Sequence, residues 1–342
     1  AARGDQKGWS LEITSAERVN VLLLLAVWLW HWILKILSWN KGDVSSVIQT
    51  RQPNELKIPL THSHLARASR SFATKVSRIV APLILLNILC QSFDKETFPL
   101  LYLISMAMPL LQFSIILGFI WKDCDVVKYC MKRLLLIEPT PRSLRNAYIL
   151  VSDTLTSFGK PLVDFTLYLI VFFVSKDSLW AHFDILIPLA PLQIRVWQCL
   201  REFFLTKDKS LLFNALKYCS SVPIIVYMWY GRVQPNDYNY INHGWFMLFN
   251  SCYTSFWDIK MDWKLNSLSK IRSGKNKLDF KFPKAFYYAG VSFNLVIKFW
   301  WIWTISGQRH EVFFANELQY FEILRRAVWI VFKLESEYVT MS

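Results

Sequence analysis

Two acids, Asp258 and Asp262, stand one helical turn apart in SCYTSFWDIKMDWKL (residues 251–265), at the end of an apolar run that begins near Trp245. Side chains at i and i+4 share a helix face. At bilayer depth each ionised group costs about 2.5–3.5 kcal/mol on insertion scales. Such a pair needs cations close by, and other apolar segments supply them. Lys217 and Tyr218 open one in NALKY, Lys298 and Trp301 lie in NLVIKFWW, and Glu322, Arg325 and Arg326 form EILRR. Asp153 and Thr156 stand in SDTLTS, Arg195 and Arg201 in RVWQCLRE, and Lys333, Glu335 and Glu337 in FKLESEY. The chemistry of this set is anion handling. A guanidinium fork matches two oxygens of an oxyanion, and charge-assisted bonds are about twice as strong as neutral ones. Neighbouring helical residues point about 100° apart, so Arg325 and Arg326 do not both face one ion. One binds while the other is held by Glu322 or an aspartate. The acids offset the cationic field, so that an anion binds weakly enough to leave.

Plainer readings stand beside each of these. Asp258 and Asp262 also fit a helix end outside the membrane whose acids face Lys260 and Lys264. Arg325 and Arg326 also fit a positive-inside anchor, although they fall mid-span with Glu322 before them. Arg201 ends its helix and snorkels. Trp301 is a pore wall or one of sixteen tryptophans that pack or sit at the interface. His31, His182 and His310 show no metal-ligand spacing, and no cofactor is called for. The sequence holds no G-x-S-x-G, H-E-x-x-H or Gly-rich phosphate loop, so no enzyme class finds support.

The elements that must position these residues are membrane helices. The chain has 342 residues, 54% of them hydrophobic and 16% aromatic. A soluble domain of that composition would expose far too much apolar surface. Hydropathy places nine spans, at 20–38, 77–92, 98–121, 146–174, 184–204, 213–230, 240–258, 285–306 and 313–334. Net charge is +14, and it is read as loop topology rather than nucleic-acid binding. Segment 39–78 holds seven Lys and Arg, 122–145 six, 201–209 three and 259–284 eight, whereas the loops between hold one each, Lys95, Lys176, Arg232 and Arg309. This alternation puts the N-terminus outside or in a lumen and the C-terminus in the cytosol. The fold class is therefore an all-α polytopic membrane protein with about nine transmembrane helices: a tail at 1–19, scaffold helices and basic loops at 20–143, and a six-helix core at 144–342. Of charged or titratable residues the first three spans offer His31 and Lys35. The basic loop 266–284 is solvated or touches anionic lipid head groups. Pro59, Pro139 and Pro141 break loops, and Pro161, Pro188, Pro191 and Pro223 kink spans. The six cysteines form no CxxC pair and read as reduced, packed residues.

At these residues the chain resembles the EXS-domain family, the membrane part of eukaryotic phosphate exporters. The matching pieces are DTLTS at 153–157, WQCLR at 197–201, NALKY at 214–218, SCYTSFWDIKMDW at 251–263, FYY at 286–288 with KFWW at 298–301, and LRRAVWIVFKLESE at 324–337. They cover roughly 144–340 in the family's order. The exporters' soluble SPX sensor is absent, so the chain is most similar to short Golgi members of the family. The resemblance implies inorganic phosphate as the transported ion, in a membrane-lipid setting. It implies binding by Asp153, Thr156, Lys217, Tyr218, Asp258, Asp262, Lys298, Trp301, Glu322, Arg325 and Arg326. It further implies a homodimer, a Golgi location with phosphate returned from lumen to cytosol, and support of glycosylation and of glycosyltransferase retention. Two departures are visible. Lys298 replaces the usual Arg, losing bidentate geometry, and Gly159 replaces a common hydroxyl residue. An aspartate also accepts a hydrogen bond from a protonated phosphate oxygen, which sulfate does not carry at neutral pH. The competing reading is a membrane adaptor that binds Golgi glycosyltransferases through the basic segments 39–78 and 259–284.

Overall fold

A computed structural model describes residues 13–39, 44–48, 61–93, 97–136, 145–174, 183–234, 240–265, 282–306 and 316–341. Among them the secondary structure is entirely helical, as the composition required. The elements are α1 (Ser15–Trp39), α2 (Val44–Ile48), α3 (His62–Gln91), α4 (Pro99–Asp123), α5 (Asp125–Leu136), α6 (Arg145–Ser157), α7 (Gly159–Phe173), α8 (Leu189–Thr206), α9 (Ser210–Cys219), α10 (Val222–Val233), α11 (Tyr240–Trp257), α12 (Lys284–Lys298), α13 (Trp301–Ser306) and α14 (Glu317–Met341). A single π turn, Asp258–Asp262, continues α11. Each of the nine predicted spans coincides with a helix or a broken pair of helices. Only α1, α3, α4 and the run Ser210–Val233 are long and apolar enough by themselves to cross a membrane, with α6 and α7, bent by 60°, as a fifth if they form one span. The number nine therefore rests on loop charge rather than on helix apolarity. Lys95, Lys176, Arg309, His182, His310, Pro59, Pro139, Pro141 and the basic stretch 266–281, with Lys270, Arg272, Lys275 and Lys277, lie outside the described residues.

Two of the prolines expected to kink spans stand at interruptions, Pro161 just after the 60° bend between α6 and α7 and Pro223 just after the break between α9 and α10. Pro161, Pro191 and Pro223 sit in the first turns of α7, α8 and α10, and Pro188 immediately precedes α8. A missing N–H costs nothing at those positions. The mid-helix prolines are instead Pro82 in α3 and Pro109 in α4.

The exterior is apolar and part of the interior is polar, the reverse of a soluble core. Leu85, Leu103, Phe173 and Phe249 are each more than half exposed, while Glu17, Asn20, Asn87 and Gln112 are fully buried. Glu17 is a charge just before the first expected span at 20–38, and Asn20, Asn87 and Gln112 are neutral polar residues, which a count of charges does not reach. Glu17 and Asn20 are three apart on α1, and no sequence spacing links that pair to Asn87 of α3 or Gln112 of α4. Cys90, Cys130 and Cys199 are packed, and burial pushes the Cys130 thiol up to about 12. Cys219 and Cys252 are exposed on the apolar exterior, so the packed reading does not hold for them.

One helix joins the expected scaffold to the six-helix unit. On one side α1 packs Val21, Leu23 and Leu24 against Val76 and Val80 of α3 and Ile116 of α4. Elsewhere its Val19 and Leu22 meet Phe158, Phe165 and Ile323, from the α6–α7 corner and α14. Near its other end Ile33, Leu34 and Leu37 join the largest core, with Tyr148, Trp329 and Phe332. The Phe332 ring lies against Trp263 (centroids 4.9 Å apart), Tyr287 (5.3 Å) and Phe286 (5.4 Å), and such pairs contribute about 0.5–1.5 kcal/mol each beyond area.

Gly290 of α12 is what lets this ring in, since a Cβ there would overlap Phe332, whose neighbours hold it in place. Gly290→Ala is expected to cost about 1–3 kcal/mol as an overpacking change and to lower the thermal unfolding midpoint in detergent. Gly118→Ala, inside α4 with nothing within 4 Å, is the control and should hold or raise the midpoint, since alanine is the better helix former.

Candidate functional site

Several of the site residues stand where a helix is interrupted, while Asp153, Arg195, Glu322, Arg325, Arg326 and Lys333 project from continuous stretches of α6, α8 and α14. Thr156 and Ser157 end α6 at the bend before α7. Lys217 and Tyr218 end α9 just before the break at Ser220 and Ser221. Asp258 and Asp262 bound the π turn, and Lys298 ends α12 before α13. Non-helical backbone at membrane depth is tolerated only where protein buries it or it lines a polar cavity. Gly159 has its own reason at the first bend: a Cβ would lie 3.3 Å from Pro188, so the side chain is absent where two segments meet.

Three linked knots of charge follow. In the first, Arg195 Nε pairs with Asp153 Oδ1 at 2.7 Å, its Nη2 donates to the Tyr218 hydroxyl at 2.8 Å, and that hydroxyl donates to Asp153 at 2.7 Å. Gln198 Oε1 accepts from Nη1 at 2.5 Å. In the second, Lys298 Nζ lies 2.5 Å from Asp258, which Arg325 also approaches at 3.6 Å. Arg325 is further held by both Glu322 oxygens, at 2.7 and 2.5 Å, and by Asn294 at 3.0 Å. In the third, Asp262 stands between Lys217 (3.5 Å) and Lys333 (3.6 Å), with Glu337 at 2.8 Å from Lys333 and 3.6 Å from Lys264. Lys217 also lies over the rings of Tyr218 and Trp257.

Asp258 and Asp262 thus turn inward, 4% and 9% exposed, to cations on other helices. Lys260 sits over Phe256 and Lys264 reaches Glu337 and Thr340, so neither takes the role that the helix-end reading gave it. The π turn separates the two acids' tasks, one serving Lys298 and Arg325, the other Lys217 and Lys333.

The twin arginines divide. Arg325 is enclosed by carboxylates. Arg326 is bonded to neutral hydroxyls, Nε to Ser157 Oγ at 2.7 Å and Nη2 to Thr156 Oγ1 at 3.3 Å, with its guanidinium 4.9 Å above the Trp329 ring. Among the described residues no carboxylate lies within 4.0 Å of it. Ser157 also donates to Glu322 at 2.9 Å, which ties the acid to the rim of this site. Trp301 is the expected residue that stands apart from the ion pairs: its indole N–H bonds Ser251 Oγ at 3.0 Å, and Ser251 bonds the Lys298 carbonyl at 2.9 Å. Arg195, Lys333, Ser157 and Asn294 belong to the network although the expected set omits them. For Arg195 the signal was a charge in mid-span; Ser157 and Asn294 left no signal distinct from packing.

Comparison with known proteins follows from this geometry. The model of the EXS family matches residues 14–339, well beyond the 144–340 stretch covered by the motifs. The chain is 42% identical to Protein ERD1 of Saccharomyces cerevisiae over 96% of this chain and 94% of that one. It is 29% identical to the Xenotropic and polytropic retrovirus receptor 1 homolog of Xenopus laevis over 44% of this chain and 24% of that one. It is also 29% identical to Solute carrier family 53 member 1 of Mus pahari over 44% and 23%.

Buried pairs have a measurable signature. Arg195→Met strands Asp153 with one neutral donor and is expected to cost about 3–5 kcal/mol, whereas Arg195→Met with Asp153→Leu should recover most of it. Thermal unfolding of the three variants checks this; equal loss in the single and double variants would show that the pair is not coupled.

Proposed function

This chain belongs to the EXS family, and from that premise we propose that its polar core conducts inorganic phosphate across the Golgi membrane, from lumen to cytosol. The observation that carries the reading is Arg326. Its guanidinium is oriented by Ser157, Thr156 and the Trp329 face yet is neutralised by no carboxylate, beside the bend in a helix at membrane depth. A fork held open in this way supplies parallel donors to a tetrahedral oxyanion.

Charge balance supports the same ion. The network sets Asp153, Asp258, Asp262, Glu322 and Glu337 against Arg195, Lys217, Lys264, Lys298, Arg325, Arg326 and Lys333, a surplus of two positive charges that suits an anion of charge −1 or −2. Lys298, Lys217 and Arg325 attract the ion while the acids hold them in place and keep it from binding too tightly. A protonated phosphate oxygen gives Glu322 or Asp258 a donor that sulfate lacks. Flux runs down the phosphate gradient that sugar transfer maintains, because hydrolysis of spent nucleotide diphosphates releases phosphate in the lumen. Glycosylation, and retention of the enzymes that perform it, follow from relief of that product. In this reading residues 144–342 form the transport core, the N-terminus is lumenal, and the C-terminus is cytosolic.

Reconstitution into liposomes with labelled phosphate tests the proposal. Arg326→Ala removes a charge-assisted fork worth about 1.5–3 kcal/mol and should reduce flux about ten- to a hundredfold with the fold intact. Arg326→Lys should keep part of it, and excess sulfate should compete poorly. Wild-type flux in Arg326→Ala would remove the residue from the mechanism.

A further inference from the structure

A second polar site lies between α1, α3 and α4, away from the three knots. Glu17 and Asn20, on one face of α1, meet Asn87 of α3 and Gln112 of α4, and all four are 0% exposed. Asn87 Nδ2 donates to Glu17 Oε2, Asn20 Nδ2 donates to the Pro109 carbonyl at 2.9 Å and to Gln112 Oε1 at 3.1 Å, and the Gln112 amide, whose Nε2 has no other partner, faces the Glu17 carboxylate. Three oxygens of this group, Glu17 Oε1, Asn20 Oδ1 and Asn87 Oδ1, have no partner among the described residues. No Lys, Arg or His nitrogen lies within 4.0 Å of Glu17 there. Arg18 turns the other way, to Asp164 at 3.5 Å and Asn316 at 2.8 Å.

The group is short of positive charge. A buried carboxylate that faces only neutral amides is left uncompensated in charge, and each unmet buried acceptor adds to that cost. We propose that Glu17, Asn20, Asn87 and Gln112 bind a small monovalent cation, a proton or a sodium ion. A proton on Glu17 Oε1 gives that oxygen a donor to an amide oxygen of Asn20 or Asn87. Sodium takes all three unpartnered oxygens at once, with the Gln112 oxygen already turned to the group. Both make the knot neutral and clamp α1 to α3 and α4.

The placement gives the clamp a route to the transport core. Arg18 carries α1 to Asp164 of α7, which Gln319 of α14 also bonds at 3.0 Å and Lys160 pairs with. The titratable and charged groups packed around Glu17 are few. They are Arg18 on its own helix, committed to Asp164; Cys90, one turn beyond Asn87 on α3; Tyr168 of α7, whose hydroxyl donates to the Met106 carbonyl at 2.6 Å; and Tyr320 and Glu317 of α14, grouped about Arg18. α4 presents Gln112 and no charge at this level.

The test reads stability rather than flux, so it stands apart from the phosphate reading. Thermal unfolding midpoints of the purified protein would be followed against pH at constant choline chloride, and against sodium replacing choline at constant pH. The wild type should be stabilised by acid, by sodium or by both; acid alone identifies a proton, sodium alone a metal ion, and both a shared site. Glu17→Gln, which supplies a neutral donor in place of the cation, should be as stable as the saturated wild type and flat in both titrations. Asn87→Leu should shift the wild-type response by at least tenfold in cation concentration, or one pH unit. A wild type with no response, or Glu17→Gln and Asn87→Leu responding as the wild type does, would overturn the site.

Discussion

Charge placed at membrane depth must be neutralised by charge on another helix, and the six-helix unit is arranged around that demand. Asp153 is met from α8, Asp258 from α12 and α14, and Asp262 from α9 and α14. Among the described residues the pairs within one helix are Glu322–Arg325 and Lys333–Glu337 on α14 and Lys160–Asp164 on α7. Removing one partner leaves an uncompensated ion worth several kcal/mol, so the pairs specify which helices are neighbours more firmly than a shared apolar face could. The apolar exterior carries no such information, since one leucine against lipid is much like another.

The same demand explains where the helices break. A continuous helix buries its backbone polar groups and offers only side chains, whereas an interruption brings several short polar residues to one level. Ser157 and Thr156 at the first bend can therefore hold Arg326 by its edge without cancelling its charge. A carboxylate in their place would have made a second Arg325. Whether a guanidinium is structural or available is decided here by hydroxyl against carboxylate at one helix end.

Much of this was legible in the sequence because charged residues in apolar runs are scarce and few arrangements neutralise them. The alternation of loop charge and the i, i+4 spacing of Asp258 and Asp262 pointed to an inward-facing set, and the 100° separation of Arg325 and Arg326 required that they have different tasks. What the sequence hid was pairing across long separations. Nothing local shows that Arg195 belongs to Asp153 rather than to the interface, or that Glu17 and Asn20 of α1 form one group with Asn87 and Gln112, because the last two stand on separate helices far along the chain. The π turn was hidden for a different reason: residues 258–262 read as a continuation of α11, and only the bond from Trp263 N–H to the Asp258 carbonyl reveals the wider turn. Gly159 reads in sequence as a lost hydroxyl, and in the fold as the close approach of Pro188.

On the proposed reading, these local rules add up to a path along the long last helix. Gln319, Glu322, Arg326, Lys333 and Glu337 fall within one narrow stripe of α14 when successive residues turn by 100°. Eighteen residues at 1.5 Å rise give the stripe a length of about 27 Å, against a hydrocarbon thickness of about 30 Å. Its polarity is broken once, between Arg326 and Lys333, where Trp329 and Ile330 are buried and the Trp329 ring lies under the Arg326 guanidinium. An ion following the stripe meets a cation above that ring and another below it, roughly 10 Å apart. The apolar interval separates Arg326 from the acids beyond it, Asp262 and Glu337, which are committed to Lys217, Lys264 and Lys333. Spacing and pairing together thus leave, on that reading, Arg326 as the open station, with Lys333 beyond the ring held by Asp262 and Glu337.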